Sequence, residues 1–351
     1  MTIVMSNRII SEKIYLITLF IWVVVASLVT TTYFIRLEGF LSLYRILLYF
    51  TIAMILIKEL VNLPRSLYYF RFHWEQLLIA VLFIISMFIV AKNRDGLLDL
   101  NVLLLVFSAR DIDFRKLLGT FSFATFLVLL LTIYASKKGI ITNMFMNADS
   151  GYRFSLGFNY VSFASQRLFF GLCTYLMYRG KKISYLEILG LLFATLYMYQ
   201  QTSTSSPFYL SILILTYVLL SIKIFKKEFI LENFWLSKIA TYAFIIALML
   251  TLYFCFYSSG HVFHLVDQFT HNRLRLSVEG FRNFGVPWLG QHITFTTTDI
   301  FGNFTSNYNF IDSSFVQLLV IDGLVVGSFM LFALTNVMRY FVSIRKDIVL
   351  A

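Results

Sequence analysis

The sequence predicts an all-α integral membrane protein of about ten transmembrane helices, with its longest extramembrane segment just before the last span. Three observations carry this. The 351 residues are 59% hydrophobic and 13% charged, with a mean hydropathy of +0.79; soluble domains carry about a quarter charged residues. Apolar runs of roughly 18–25 residues recur along the chain, the length needed to cross ~30 Å of hydrocarbon. The alternating pattern of membrane-barrel strands is absent.

The runs place spans at 14–35, 41–57, 74–91, 97–109, 117–135, 158–178, 184–201, 208–225, 239–258 and 313–338. The first exceeds a signal-peptide core and lacks a small-residue cleavage site after it, so it reads as a retained span. The fourth is short and carries Asp99, so it must pack against other helices or sit beside a thinned bilayer. Positive loops stay cytoplasmic. With the N-terminus inside, eighteen Lys and Arg fall inside, nine outside, and two (Arg45, Arg167) within spans. Both termini are therefore expected to be cytoplasmic.

The net charge of +11 is largely this orientation signal. No face concentrates it beside aromatic readers, so nucleic acid is not an expected partner. Cys173 and Cys255 both lie in apolar runs, which argues against a disulfide or metal framework. No repeat or low-complexity tract appears, and residues 1–351 read as a single polytopic domain.

Two outside segments exceed the usual loop length: 136–157 and 259–312. Loops that long in a compact domain are usually functional. Within the second, 272–285 spaces Leu274, Val278 and Phe281 helically, predicting a short amphipathic helix near the outer interface.

Arg153, Arg273, Arg275 and Arg282 stand on the outer side against the orientation bias, so something must retain them. Arginine offers a rigid fork that grips phosphate oxygens in pairs, and headgroup contact is the simpler alternative. Arg167 sits in mid-span, where a charge is costly. It contacts substrate, or pairs with Asp99 or Asp322. Asp312 opens the last span as an N-cap, or as a carboxylate that orients an arginine or accepts a hydroxyl proton.

His261 and His264 make a weak metal pair without further ligands at metal spacing, so no metal is expected. His271 or His292 remains a candidate base or substrate ligand. Asp111-Ile-Asp113 has the D-x-D form of many sugar-nucleotide transferases but lies between Arg110 and Arg115 in a short cytoplasmic loop, which favours local pairing. Thr202–Ser206 either makes a turn or hydrogen-bonds a glycan.

Taken in order, these segments resemble a known family. They are Arg153-Phe-Ser-Leu-Gly157-Phe158, the Ser/Thr-rich turn, Asn272-Arg273-Leu274, Phe284-Gly-Val-Pro-Trp-Leu-Gly290, Tyr308 with Ile311-Asp312-Ser-Ser-Phe315, and Asp322-Gly323. The set resembles the bacterial Wzy-type polymerases of lipid-linked polysaccharide repeat units, kin of the O-antigen ligases, over about 110–340. The resemblance implies a C-type glycosyltransferase-like fold in the bacterial cytoplasmic membrane. It implies polymerisation of polyprenyl-pyrophosphate-linked oligosaccharides on the outer face, without cofactor or metal. A flippase and a chain-length regulator would be its partners.

On that reading Arg273, Arg153 and Asp312 are catalytic, and Arg275, Arg282, Arg167, His271 and Tyr308 bind substrate. The sequence differs from the family pattern where His-Pro-Asn often follows the glycine, at Asp312-Ser-Ser-Phe315 in place of D-N-x-Y, and at the ligase histidine. These differences argue against a ligase and leave the base open. A lipid-linked oligosaccharide flippase is the reading from another class, favoured by Arg167, although transporters usually show repeats and interrupted helices.

Overall fold

The computed structural model describes residues 2–33, 40–72, 74–94, 96–148, 151–227, 229–258, 260–270, 272–296 and 309–343. The described residues are mostly helical. In order, the helices are α1 (Thr2–Leu28), α2 (Phe40–Phe72), α3 (Trp74–Arg94), α4 (Leu97–Ser108) and α5 (Phe114–Lys137). They continue with α6 (Phe163–Arg179), α7 (Tyr185–Thr202), α8 (Ser205–Val218), α9 (Phe229–Glu232) and α10 (Phe234–Thr241). Then come α11 (Ala243–Phe256), α12 (Gly260–Phe269), α13 (Arg273–Phe284), α14 (Ser314–Val320) and α15 (Gly323–Ser343). An antiparallel hairpin, β1 (Phe145–Ala148) and β2 (Gly151–Phe154), interrupts the segment between α5 and α6.

Among the described residues, five helices are long and apolar enough to cross a membrane, or six if a bent pair counts as one. The expectation of ten spans is corrected accordingly. α4 has only 12 residues and α6 only 17. α7 reaches 18 but ends in Gln200-Gln201-Thr202, which dilutes its apolar run. The run at 41–57 belongs to α2, a 33-residue helix; Arg45 lies within the run and Lys58-Glu59 close it. The span at 239–258 breaks at Tyr242 into α10 and α11, bent by 70°. The span at 313–338 breaks at Ile321-Asp322 into α14 and α15.

The chain forms two compact units, residues 1–72 with 101–228 and residues 73–100 with 229–350. In the first, α1 packs on α2 and α5, and α5 on α6. Tyr15, Leu19, Val23, Ile55, Leu105 and Ala124 form one core, and Leu129, Leu156, Phe158, Ala164, Leu168 and Met198 another. In the second, α11, α13, α14 and α15 enclose Leu248, Cys255, Leu274, Phe281, Ile311, Val316, Leu319 and Val320.

Several polar groups buried on these helices are paired, while Trp22 Nε1, Thr125 Oγ1 and Thr335 Oγ1 are buried without a hydrogen bond among the described residues. Lys58, one of the eighteen basic residues assigned to the inside, is fully buried. Its Nζ donates to Glu59 Oε1 (2.8 Å) and to the Ser108 carbonyl (2.6 Å), while Ser108 Oγ donates to the same carboxylate. A buried charge persists only when so paired. In-line with this, Thr51 donates to Asn101, and Asn62 to Ser11.

Candidate functional site

In the second unit the site grows from α13. Asn272 adopts φ 65°, a left-handed conformation that asparagine tolerates through its short polar side chain, and the chain then turns into the helix. Asp267 of α12 is buried and accepts the Arg275 amide at 2.9 Å, satisfying one of the donors a helix start leaves open. Leu274, Ser277, Gly280 and Phe281 turn inward. The helix expected at 272–285 is therefore present, but its apolar stripe packs on α11 and α14 rather than on a membrane surface. The inward stripe leaves Arg273, Arg275 and Arg282 exposed.

Gly280 fixes what faces α13. A β-carbon there would lie 2.8 Å from Ile311 Cδ1, closer than packed carbons approach, and Ile311 is buried. Seating Ile311 against the glycine brings Asp312 beside Arg273. The Arg273 Nε stands 3.9 Å from Asp312 Oδ2, with the two side chains 57% and 31% exposed. That is an ion pair beyond hydrogen-bond range. Arg275 reaches Glu279 at the same separation, one helical turn on. Arg282 makes no hydrogen bond or ion pair among the described residues. Thr296 and Asn309, which flank 297–308, clasp one another: the Thr296 amide donates to Asn309 Oδ1 at 2.6 Å and the Asn309 amide to the Thr296 carbonyl at 3.2 Å. His271 and Tyr308 lie outside the described residues.

Beside this lies a tightly built junction. Arg94, at the end of α3, donates Nε to Asp322 Oδ1 (2.8 Å) and a terminal nitrogen to Oδ2 (2.7 Å). Asn93 donates to the Leu289 and Ile321 carbonyls, both at 3.0 Å. The Gln291 amide donates to Ile321, and those of Leu324 and Val325 to Pro287 and Trp288. Gly290 (φ 72°) and Gly323 (φ 87°) touch where the two segments cross. Any side chain at Gly290 would collide with the Ile321 carbonyl and the Asn93 amide. Two separate glycine motifs of the sequence thus meet in one knot. His292 Nδ1 lies 3.1 Å from the Asn93 carbonyl, while His261 and His264 are exposed on α12. Among the described residues no group of three or more His, Cys, Asp and Glu is spaced to hold a metal ion.

In the first unit, Arg153 sits on β2 opposite Met146. Its Nε donates to the Thr202 carbonyl (2.9 Å) and a terminal nitrogen to Thr204 Oγ1 (3.3 Å). Thr202 Oγ1 and Ser165 Oγ share a 2.6 Å hydrogen bond. The Ser/Thr turn, with Ser203 at φ 46°, is therefore tied to the hairpin through Arg153. Gly157 (φ 89°) lets the chain pass Ile141, Ser136 and Thr132, each within about a methyl's reach of a β-carbon built there. Its carbonyl accepts from Thr32 at 2.9 Å.

Arg167 is half-buried on α6 and donates to the Ala26 carbonyl of α1 at 3.1 Å. Asp322, one of the two carboxylates considered for Arg167, takes Arg94 as its partner instead. Asp113 caps α5 by accepting the Arg115 amide at 2.8 Å, which gives the D-x-D segment a local role. Sequence reasoning missed the Arg94–Asp322 pair and the buried Lys58. The signal for the second was on the page: a Lys-Glu pair inside an otherwise apolar run.

No protein-family model, no curated protein and no solved structure matches this chain.

Proposed function

We propose that this protein is a membrane glycosyltransferase that polymerises polyprenyl-pyrophosphate-linked oligosaccharide repeat units outside the cytoplasmic membrane. The observation that carries the reading is the open pairing of Arg273 with Asp312, on a helix that also exposes Arg275 and Arg282. A guanidinium held near a carboxylate but not closed upon it keeps its planar fork available to a pyrophosphate. The membrane-type helices and the family resemblance of the surrounding motifs supply the context.

In the proposed reaction a hydroxyl of one lipid-linked repeat unit attacks the anomeric carbon of the growing glycan. The new glycosidic C–O bond forms as the bond to pyrophosphate breaks, and polyprenyl pyrophosphate departs with that electron pair. Asp312 takes the hydroxyl proton. Arg273, with Arg275 and Arg282 as companions, stabilises the charge growing on the leaving group through preorganised donors. No metal is required. The direct test is reconstitution of the purified protein with a lipid-linked oligosaccharide. A ladder of longer glycans with release of polyprenyl pyrophosphate supports the reading. Movement of intact substrate across the bilayer without chain growth would establish the flippase instead.

A further inference from the structure

α12 carries an apolar stripe that the second unit leaves uncovered. Val262, Leu265 and Phe269 recur at i, i+3 and i+7, so they share one face of the helix. They are 52%, 52% and 86% exposed. Beside them Phe263 and Val266 are partly buried against the core, and Asp267 is buried. His261, His264 and Gln268 complete the helix as an exposed polar arc. One side of α12 is thus anchored in protein, one is wetted, and one apolar side between them faces outward.

We propose that this stripe is seated in the headgroup region of the bilayer, making α12 an interfacial anchor that fixes the height of Arg273. Continuity with α11 is the first argument. α11 belongs to the bent pair that is apolar enough to cross a membrane, and it exposes Met249, Leu250, Tyr253 and Phe256 along one side. Tyr257 is 78% exposed where the helix ends, the position at which aromatic rings mark a membrane boundary. α12 begins three residues further on, at Gly260 (φ 57°).

Length is the second argument. α12 has 10 residues, and at about 1.5 Å each it is far too short to cross, so its apolar side must lie along the surface. The arginines that follow on α13 suit anionic headgroups. A second copy of the chain is a poorer occupant, because three side chains fall well short of the ~800 Å² per partner of a stable interface. A glycan would want rings to stack on, and Phe269 is the single ring of the stripe.

The proposal stands apart from the polymerase reading, since accessibility is measured without substrate. Single nitroxide labels at Val262, Leu265, Phe269, His264 and Gln268, in a Cys173→Ala/Cys255→Ala background, are compared in phosphatidylcholine–phosphatidylglycerol vesicles. Oxygen relaxing the first three more strongly than a water-soluble nickel chelate, with the reverse order at His264 and Gln268, is the expected result. Chelate dominance at all five sites overturns the proposal in favour of an aqueous face. Protection of the first three from both reagents overturns it in favour of a protein partner. In the otherwise unaltered chain, Phe269→Trp adds an indole whose emission brominated phosphatidylcholine is expected to quench. Added emission indifferent to brominated lipid would likewise overturn it.

Discussion

Arg94 closes both arms of its guanidinium on the Asp322 carboxylate, at 2.8 and 2.7 Å. Arg273 stops 3.9 Å short of Asp312. Both arginines belong to the second unit, yet their chemistry differs. A filled fork holds structure together, whereas an open one is available to a ligand.

The closed pair predicts a stability effect. Asp322 is 4% exposed, so Asp322→Asn leaves Arg94 with a buried neutral partner and one donor unpaired. Breaking such a pair costs roughly 3 kcal/mol, read as a fall in Tm of the detergent-solubilised protein. Arg94→Gln combined with Asp322→Asn is expected to cost less than the two single changes added together. Strict additivity would mean the pair contributes nothing as a pair.

Gly280 predicts a coupled loss. Gly280→Ala forces Ile311 to move, and with it Asp312, at a cost of about 1–3 kcal/mol for overpacking. Glycan chain length should shorten as well, and Ile311→Val should restore part of both. Gly190 offers the opposite case, because nothing lies within 4 Å of a β-carbon there. Gly190→Ala should stabilise α7 by about 0.5–1 kcal/mol, since alanine loses less backbone freedom in a helix. Equal thermal shifts in the two variants would remove the packing argument.

Much of this was legible in the sequence, and the failures have definite causes. Apolar length marks membrane helices whatever their neighbours, so α1, α3, α5, α8 and α15 follow from runs alone. Bends do not: the break at Ile321–Gly323 rests on contacts from Asn93, Gly290 and Gln291, and the break at Tyr242 has no proline or glycine in its run to mark it. The 3.6-residue period of α13 is visible, but lipid and protein are equally apolar partners, so periodicity cannot say where Leu274 and Phe281 go. The hairpin strands have four residues each, too few to establish alternation. The motif residues were identifiable, while the union of Gly290 with Gly323 depends on tertiary contact.

Orientation predicts a labelling pattern. With both termini cytoplasmic, a cysteine at Asn283, exposed on α13, should react with an impermeant thiol reagent in intact cells. One at Ser343, the last residue of α15, should react only after the membrane is opened. The reverse pattern would invert the topology and move the arginine-bearing helix to the cytoplasm.

If Arg273 grips a pyrophosphate with its planar fork, Arg273→Lys should abolish the grip. Lysine keeps the charge but cannot make two parallel hydrogen bonds. Losing a contact strengthened in the transition state should cost ~3 kcal/mol, roughly a hundredfold in rate. The readout is glycan chain length on a gel from cells with matched membrane levels of each variant, with Arg36→Lys, remote in sequence from both long loops, as the control. Short glycans are expected from Arg273→Lys and full-length polymer from the control. Full-length polymer from Arg273→Lys would contradict that grip and reduce this arginine to a headgroup contact.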